Sequence, residues 1–559
     1  GAARLQLHYS LPDAPMAGPA TRTKTRGREF RGRAPENEHS EQDGGDELLR
    51  IISGFGNDFK QTRSTPVQST KEGDLDAFTI LFSVPNLDRI RSEMFCALTL
   101  TMSTLLGYRE STRATLIWVQ FLIALCILSY ESTLASVSAY SLSTGLIMVL
   151  YLPLRRGLPK ALRLACATSI RHGAPAECDT WFRGSMIFLI PSLVILTAYF
   201  IFGVGLLARL VSGSTRNVVE VERYARYSVL WLWAEPFVDI LLVHMGSKDL
   251  TCIRAVDVLM FLILPPLLMT WMLKSGLGIV GIPIGLALSH GLRLASAIVV
   301  AWSSEELPQL FPSSSNQWRQ IPSRERSIQS TSSDNTYQDP VLGTCLATSI
   351  LGKNVGYKGF IATWRNGFPL ILGFLFAWSL GSASMVAHSF LLGLVYILLS
   401  LCGHPGFSMV TEKRIRHFIA RGQGGGALKS ARWGLVWGFF TSFAISVVTG
   451  VTLSTQNIDQ YDGDSRETWR QATGAALPVS LFIFLSSVVS ILRSLLRGVK
   501  QKTLASIAMH VPRFVSVGFC YAFAIHLEWG VSGIWYGMVI GATASLIACG
   551  SAWALAKHI

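Results

Sequence analysis

Glu235 and Asp239 stand four residues apart inside an apolar run, residues 225–245, a spacing that sets both carboxylates on one face of a helix. Two carboxyls sharing a low-dielectric site resist ionising together, so one of them can hold a proton near neutral pH. A proton carrier needs that chemistry. Pro236 between them withholds a backbone N–H and leaves a carbonyl open to an ion. The competing reading is a structural pairing with a cation such as Arg293 or Arg513. Asp257 follows Arg254 by three residues, close enough on a helix for a salt bridge.

His388, His290 and His510 are candidate proton relays, set against the commoner role of a satisfied structural group. Trp231, Trp233, Trp364 and Trp378 could stack on a flat organic cation or anchor at a membrane interface. Other chemistries lack their residues. The nine cysteines form no CxxC pair, so neither a disulfide framework nor a zinc site is expected. Gly424–Gly426 lacks the Gly-Lys-Ser or Gly-Lys-Thr ending of a nucleotide loop. No His-rich cluster or nucleophile elbow occurs in the loops. The expectation is no enzyme activity, no metal and no cofactor.

Half of the 559 residues are hydrophobic and 15% are charged, a balance that makes the bilayer the expected solvent. Twelve apolar segments approach the ~20 residues that cross ~30 Å of hydrocarbon as a helix: residues 112–130, 132–153, 182–207, 225–245, 254–273, 279–302, 363–381, 384–405, 430–453, 473–495, 505–526 and 532–556. Met94–Gly107 is marginal in length and reads as interfacial or as a remnant. The net charge of +14 does not call for nucleic acid, because the loops after even-numbered segments hold many of the cations, among them Arg155, Arg156, Lys160, Lys413, Arg414, Arg497 and Lys500. That bias puts these loops and both termini in the cytoplasm.

Residues 1–91 are polar, with a basic run from Arg22 to Arg33 and an acidic patch from Glu36 to Glu47, and read as a disordered cytoplasmic tail. Residues 303–362 include the Ser-rich stretch Ser313–Ser333 and read as a linker between an N-lobe (residues 112–302) and a C-lobe (residues 363–557). The chain begins at Gly1, and a segment carrying the targeting signal is expected to precede it; plasma membrane and vacuolar-type membrane both fit.

The two halves echo each other at an offset of roughly 250 residues. Leu134–Ser138 matches Met385–Ser389, the basic stretch Gly157–Gly173 matches Gly406–Gly422, and the step Gly278, Ile279, Val280, Gly281, Ile282 matches Gly530, Val531, Ser532, Gly533, Ile534. Six crossings per half make the repeats parallel, with a substrate cavity expected between them.

On these residues the chain resembles the multidrug and toxic compound extrusion (MATE) transporters of the wider flippase-like superfamily, over residues 113–557. Leu134–Ser138 with Gly157, Leu158, Ala161, Leu162, Gly173 and Ala174 resembles the family's Leu-Ala-Ala-Val-Ser, Gly-Leu-x-x-Ala-Leu and Gly-Ala elements. Gly381 with Val386–Ser389 is similar to its Gly and Ala-Ala-His stretch. Arg421, Gly422 and Gly424–Gly426 sit where the family has a Gly-Ala-Gly loop. Arg497, Gly498, Gln501 and Lys502 resemble its Arg-Gly-x-x-x-Gln-Lys loop, one residue shorter, and Gly530, Gly533, Ile534, Trp535 and Gly537 its last-helix pattern.

The resemblance implies an all-α polytopic membrane protein of about twelve helices in two parallel six-helix repeats. It also implies secondary active export of organic, cationic or amphipathic solutes by proton- or sodium-coupled antiport. The chain departs from the family in its coupling carboxylates, which members carry in helices 1, 7 or 10. Segments 7 and 10 contain none, and segment 1 offers only Glu131 at its end. Coupling or substrate contact then falls to Glu235, Asp239, Pro236, His388 and Trp378. The expected partners are a small organic solute, a proton or sodium ion and the lipid bilayer, with the protein a monomer. Two alternatives remain: a flippase for lipid-linked substrates, and a transport-dead structural or receptor-like relative.

Overall fold

Hydrocarbon offers backbone N–H and C=O groups no partner, so a spanning segment must close its hydrogen bonds on itself. The computed structural model describes residues 109–171, 177–211, 215–247, 252–304, 348–352, 360–401, 406–422 and 424–556, which are helical with short turns and contain no strand. The polar tail, Met94–Gly107 and most of the Ser-rich linker lie outside the described residues.

The first half runs α1 (Arg109–Glu131), α2 (Leu134–Leu152), α3 (Leu158–Arg171), α4 (Glu177–Ala198), α5 (Val204–Val211), α6 (Thr215–Ser247), α7 (Cys252–Met272) and α8 (Gly281–Ser303). The second runs α9 (Phe360–Ser379), α10 (Ser382–Leu401), α11 (Gly406–Ala420), α12 (Gly424–Ser454), α13 (Gly463–Gly474), α14 (Ala476–Gly498), α15 (Lys502–Tyr521) and α16 (Gly530–Ala556). All twelve expected segments fall on helices, α4 and α5 forming one crossing through a π-helical turn, Tyr199–Gly203. Among the described residues, eight apolar runs are long enough to span, one of them being the α7–α8 hairpin; three shorter apolar helices lie in α1, α2 and α9.

Their outer faces are greasy. Ile187, Ile190, Val194, Ile195, Phe202 and Leu206 are exposed along α4, the π turn and α5, and Phe439, Phe440, Phe443, Val447, Val448 and Val451 on α12. Exposed apolar belts of this extent are what a lipid-facing surface requires.

α3 and α11 are the two basic stretches of the repeat, each following the second crossing of its half. α13 was not expected: residues 454–470 fall between two of the expected crossings. Its sequence is polar on most sides, so hydropathy is silent there, yet Trp469 packs on Phe390 and Tyr461, and Gln471 accepts a hydrogen bond from Ser384 at 2.8 Å.

The repeat is visible in detail at the last hairpin of each half. α7 ends in a π turn, Leu273–Leu277, and α15 in another, Ala522–His526. Each is followed by a glycine with positive φ, Gly278 at 56° and Gly530 at 58°. The glycines beyond let the hairpin arms touch. A Cβ on Gly281 would lie 2.8 Å from the Met272 carbonyl carbon, on Gly285 2.7 Å from the Met269 nitrogen, on Gly533 2.5 Å from the Ala524 nitrogen, and on Gly537 2.4 Å from the Cys520 nitrogen. Small residues at a one-turn interval permit this backbone approach.

The halves meet through α1 and α2 against α9 and α10. Trp118 stacks on Tyr396 with centroids 4.5 Å apart, Gly393 abuts Leu122, and Gly145 abuts the Phe374 ring. Asn217 Nδ2 donates to Ser382 Oγ at 3.2 Å. Adding one methyl at a hairpin contact should overpack backbone: Gly285→Ala and Gly537→Ala are each expected to lose on the order of 1–3 kcal/mol. Gly518→Ala, whose Cβ would meet nothing within 4 Å, should be neutral or gain up to ~1 kcal/mol. Unfolding in detergent measures all three.

Candidate functional site

Glu235 and Asp239 sit on one face of α6, 0% and 2% exposed, and Pro236 interrupts the helix beside them. Lacking an N–H, Pro236 cannot bond the Leu232 carbonyl one turn back. The cation that reaches Glu235 is Arg155, whose Nη2 lies 2.5 Å from Glu235 Oε1, with both side chains buried. Glu235 thus has the cationic partner that the structural reading expected, with Arg155 in the place of Arg293 or Arg513. Arg155 read as a loop cation, but it stands in a π-helical turn, Pro153–Gly157, that continues α2. Its neighbour Leu154 is buried, so the turn carries Arg155 inward.

Arg293 has a different partner. From α8 its Nε and Nη2 donate to Asp257 Oδ1 of α7 at 2.9 and 2.7 Å, its Nη1 lies 2.9 Å from His290 Nδ1, and its Cζ sits 4.6 Å from the Phe261 ring centroid. Asp257 thus bonds across the α7–α8 hairpin, where the sequence suggested Arg254 of its own helix; the Arg254 side chain lies outside the described ones.

Aromatic rings join the two ion pairs. Trp231, one turn before Glu235, meets Tyr151 edge-on at 5.8 Å and the His290 ring at 6.1 Å. The centre therefore holds Arg155, Trp231, Glu235, Asp239, Asp257, His290 and Arg293, drawn from the end of α2 and from α6, α7 and α8. Among the described residues Arg155 pairs with Glu235 and Arg293 with Asp257, and Asp239 lies one turn beyond Glu235 on the same buried helix.

His388 and Trp378 belong to the other half. His388 on α10 is fully buried, packed against the edge of Phe374 at 5.7 Å and against Trp535 at 5.6 Å. Neither ring nitrogen has a hydrogen-bond partner among the described residues, nor has the Trp378 or the Trp535 indole N–H. Trp378 lies one turn after Phe374 on α9. The five expected site residues thus form two groups, an ionic one in the first half and a neutral aromatic one in the second. His510 is buried on α15, and the Trp364 side chain lies outside the described ones. Spacing within one helix revealed Glu235 and Asp239; Arg155 gave no such signal, because its pairing crosses from one helix to another.

No family model matches the chain, and no curated protein matches its sequence. Solved structures do match. The eukaryotic MATE transporter AtDTX14 superposes with a TM-score of 0.58 at 14% identity, over 82% of this chain and 95% of that one. A multidrug resistance MATE family transporter of the MOP superfamily, in an inward-facing conformation, gives 0.60 at 14% identity, over 79% and 94%. A variant of the Vibrio cholerae MATE transporter VcmN gives 0.53 at 14% identity, over 82% and 98%. The fold is the MATE fold. At this identity the likeness speaks for architecture, and on that MATE architecture the chain carries, among the described residues, buried carboxylates in α6 and a half-buried one in α7, with no Asp or Glu in α9 or α14.

Removing one partner of a buried ion pair strands the other charge. Arg155→Met should cost on the order of 3–5 kcal/mol, and Glu235→Gln added to it should recover most of that loss. A double-mutant cycle of unfolding free energies in detergent or nanodiscs gives the coupling.

Proposed function

We propose that this protein is a secondary active transporter that exports organic solutes by rocking the lobes 112–302 and 363–557 about a central cavity, driven by antiport of a proton. The observation that carries the reading is a buried pair of carboxylates one turn apart on α6, Glu235 against Arg155 and Asp239 beyond it. An intramembrane charge costs about 2.5–3.5 kcal/mol on insertion scales and marks an ion or proton pathway, so a carboxylate of this pair needs a cation whenever its present partner moves away. A proton meets that need at a carboxylate already placed against Arg155. The solute class, organic and cationic or amphipathic, follows from the multidrug description of a structural neighbour and from the aromatic residues Trp378 and Trp535. Rocking has to separate Trp118 from Tyr396 at one end or Asn217 from Ser382 at the other.

A second reading, a flippase for lipid-linked substrates, is favoured by the second half. Its crossing helices contain no Asp or Glu, while Arg493 and Arg513 both stand within electrostatic reach of Cys549. Two guanidiniums of that kind suit a phosphate-bearing headgroup.

Ethidium, a fluorescent organic cation, is the probe that separates these readings. Proteoliposomes under an imposed proton gradient should move it, sodium should not substitute, and Glu235→Gln with Asp239→Asn should abolish the gradient-driven component by about 100-fold. Absence of gradient-dependent movement in the parent would favour the flippase or a transport-dead relative.

A further inference from the structure

Each half follows its second crossing with a basic helix, α3 in the first and α11 in the second, and the two are not alike. On α11, Lys413, Arg414 and His417 are exposed, and so is Arg421 just past the helix end. The Arg421 N–H still donates to the His417 carbonyl at 3.2 Å, which keeps Arg421 in helical register. At 3.6 residues per turn the four side chains fall within one arc of about 100°.

The opposite side of α11 is its packing side. Thr411 and Ile415 are buried there. A Cβ on Gly434 of α12 would lie 2.8 Å from Thr411 Cγ2, on Gly426 2.7 Å from Phe418 Cδ1, and on Gly498 of α14 2.8 Å from Ile415 Cγ2. α11 is thus seated closely on two crossing helices and turns its basic face away from them. The acid of α11, Glu412, is paired with Arg416 on the flank. None of the four side chains of the face has an ion-pair partner among the described residues, and the crossing helices of this half contain no Asp or Glu.

Membrane orientation alone does not call for such a face, since the rule counts cations without regard to their side of a helix. α3 satisfies it with Lys160, Arg163 and Arg171. Counted from Gly157 against Gly406, the positions that match Lys413, Arg414 and His417 are Leu164, Ala165 and Thr168, and Leu164 is 70% exposed. An apolar side chain therefore stands where α11 begins its run of cations.

We propose that the face Lys413, Arg414, His417 and Arg421 is a docking surface for anionic phospholipid headgroups of the cytoplasmic leaflet. Only residues 402–405 separate α11 from the crossing α10, so the face is held at the membrane surface, where a juxtamembrane basic cluster is drawn to acidic lipid. Ile419 is exposed on the same last turn as Arg421, an apolar side chain suited to the acyl boundary. The guanidiniums of Arg414 and Arg421 match phosphate oxygens in geometry, and Lys413 adds a point charge. The inference does not depend on what the protein moves across the bilayer. It does reach the contact between the halves: Tyr396, which stacks on Trp118 of α1, lies little more than a turn before the end of α10, so a headgroup held on α11 bears on the helix that makes this contact.

The test titrates the full chain in detergent with phosphatidylserine or phosphatidylcholine and resolves each bound lipid by native mass spectrometry. The first phosphatidylserine should bind about tenfold or more tighter than the first phosphatidylcholine. Lys413→Gln, Arg414→Gln and Arg421→Gln together should bring the two within about twofold, and Arg414→Gln alone, should the triple variant not fold, should weaken phosphatidylserine by about fivefold. Lys160→Gln, Arg163→Gln and Arg171→Gln together, which remove as many cations from α3, should leave the preference in place. An α11 variant that keeps the preference overturns the inference, and so does an α3 variant that loses it equally, since basic loops in general would then be responsible. A parent without any preference overturns it too, and leaves the face to an acidic protein segment.

Discussion

A bilayer interior supplies neither a hydrogen-bond partner nor a counter-charge, so each polar group that enters it must be answered from within the protein. The backbone answers by being helical. The ionisable side chains answer by converging: Arg155 reaches Glu235 from a neighbouring helix end, and Arg293 reaches Asp257 across a hairpin. Both contacts join elements that are distant in sequence or sit on opposite arms, so the charges that would expel a lone helix from lipid instead fix how α2, α6, α7 and α8 pack. A buried pair of this kind adds little net stability over an apolar replacement. Its presence therefore points to specificity or function.

The same constraint explains the glycines and the π turns. Between two helices in lipid the hydrophobic effect is weak, and contact depends on close van der Waals approach. Gly281 and Gly285 give the α7–α8 hairpin that approach, and Gly533 and Gly537 give it to α15–α16. In each hairpin a π turn precedes a glycine with positive φ, Gly278 in one and Gly530 in the other. A third π turn, Pro153–Gly157, does something else: it keeps the chain helical past the end of α2 long enough to turn Arg155 toward α6.

The twelve crossings were legible because hydropathy over about 20 residues is a property of composition, and the repeat was legible because its glycines are required by backbone contact, which permits little substitution. α13 was not, since a polar helix held by Trp469 and Gln471 on its neighbours leaves no apolar stripe to read. At the site, Glu235 and Asp239 were legible as a pair because four residues is a local spacing. Their cation was not, since Arg155 lies 80 positions away and loop cations look alike until a turn points one of them inward. For the same reason Asp257 suggested Arg254, its neighbour in sequence, where Arg293 is its neighbour in space. His388 and Trp378 were read as part of one site with Glu235 because nothing in a sequence says which buried polar residues share a half.

That separation bears on how a charge in one half could move the other. A bound proton shifts a two-state equilibrium only so far as it binds one arrangement better, so the proton site must touch something that differs between the arrangements. The turn that carries Arg155 also packs against α9, the helix of the second half that contributes Phe374 and Trp378 to the packing around His388. Neutralising Glu235 removes the attraction that holds Arg155 inward, and the turn is then free to repack against α9. Under the proposed function the aromatic group would need no charge of its own, because the ionic half would supply the energy and the α9 contact the lever. A second half whose crossing helices contain no carboxylate is compatible with that proposal, in which coupling would fall to the helices around Glu235.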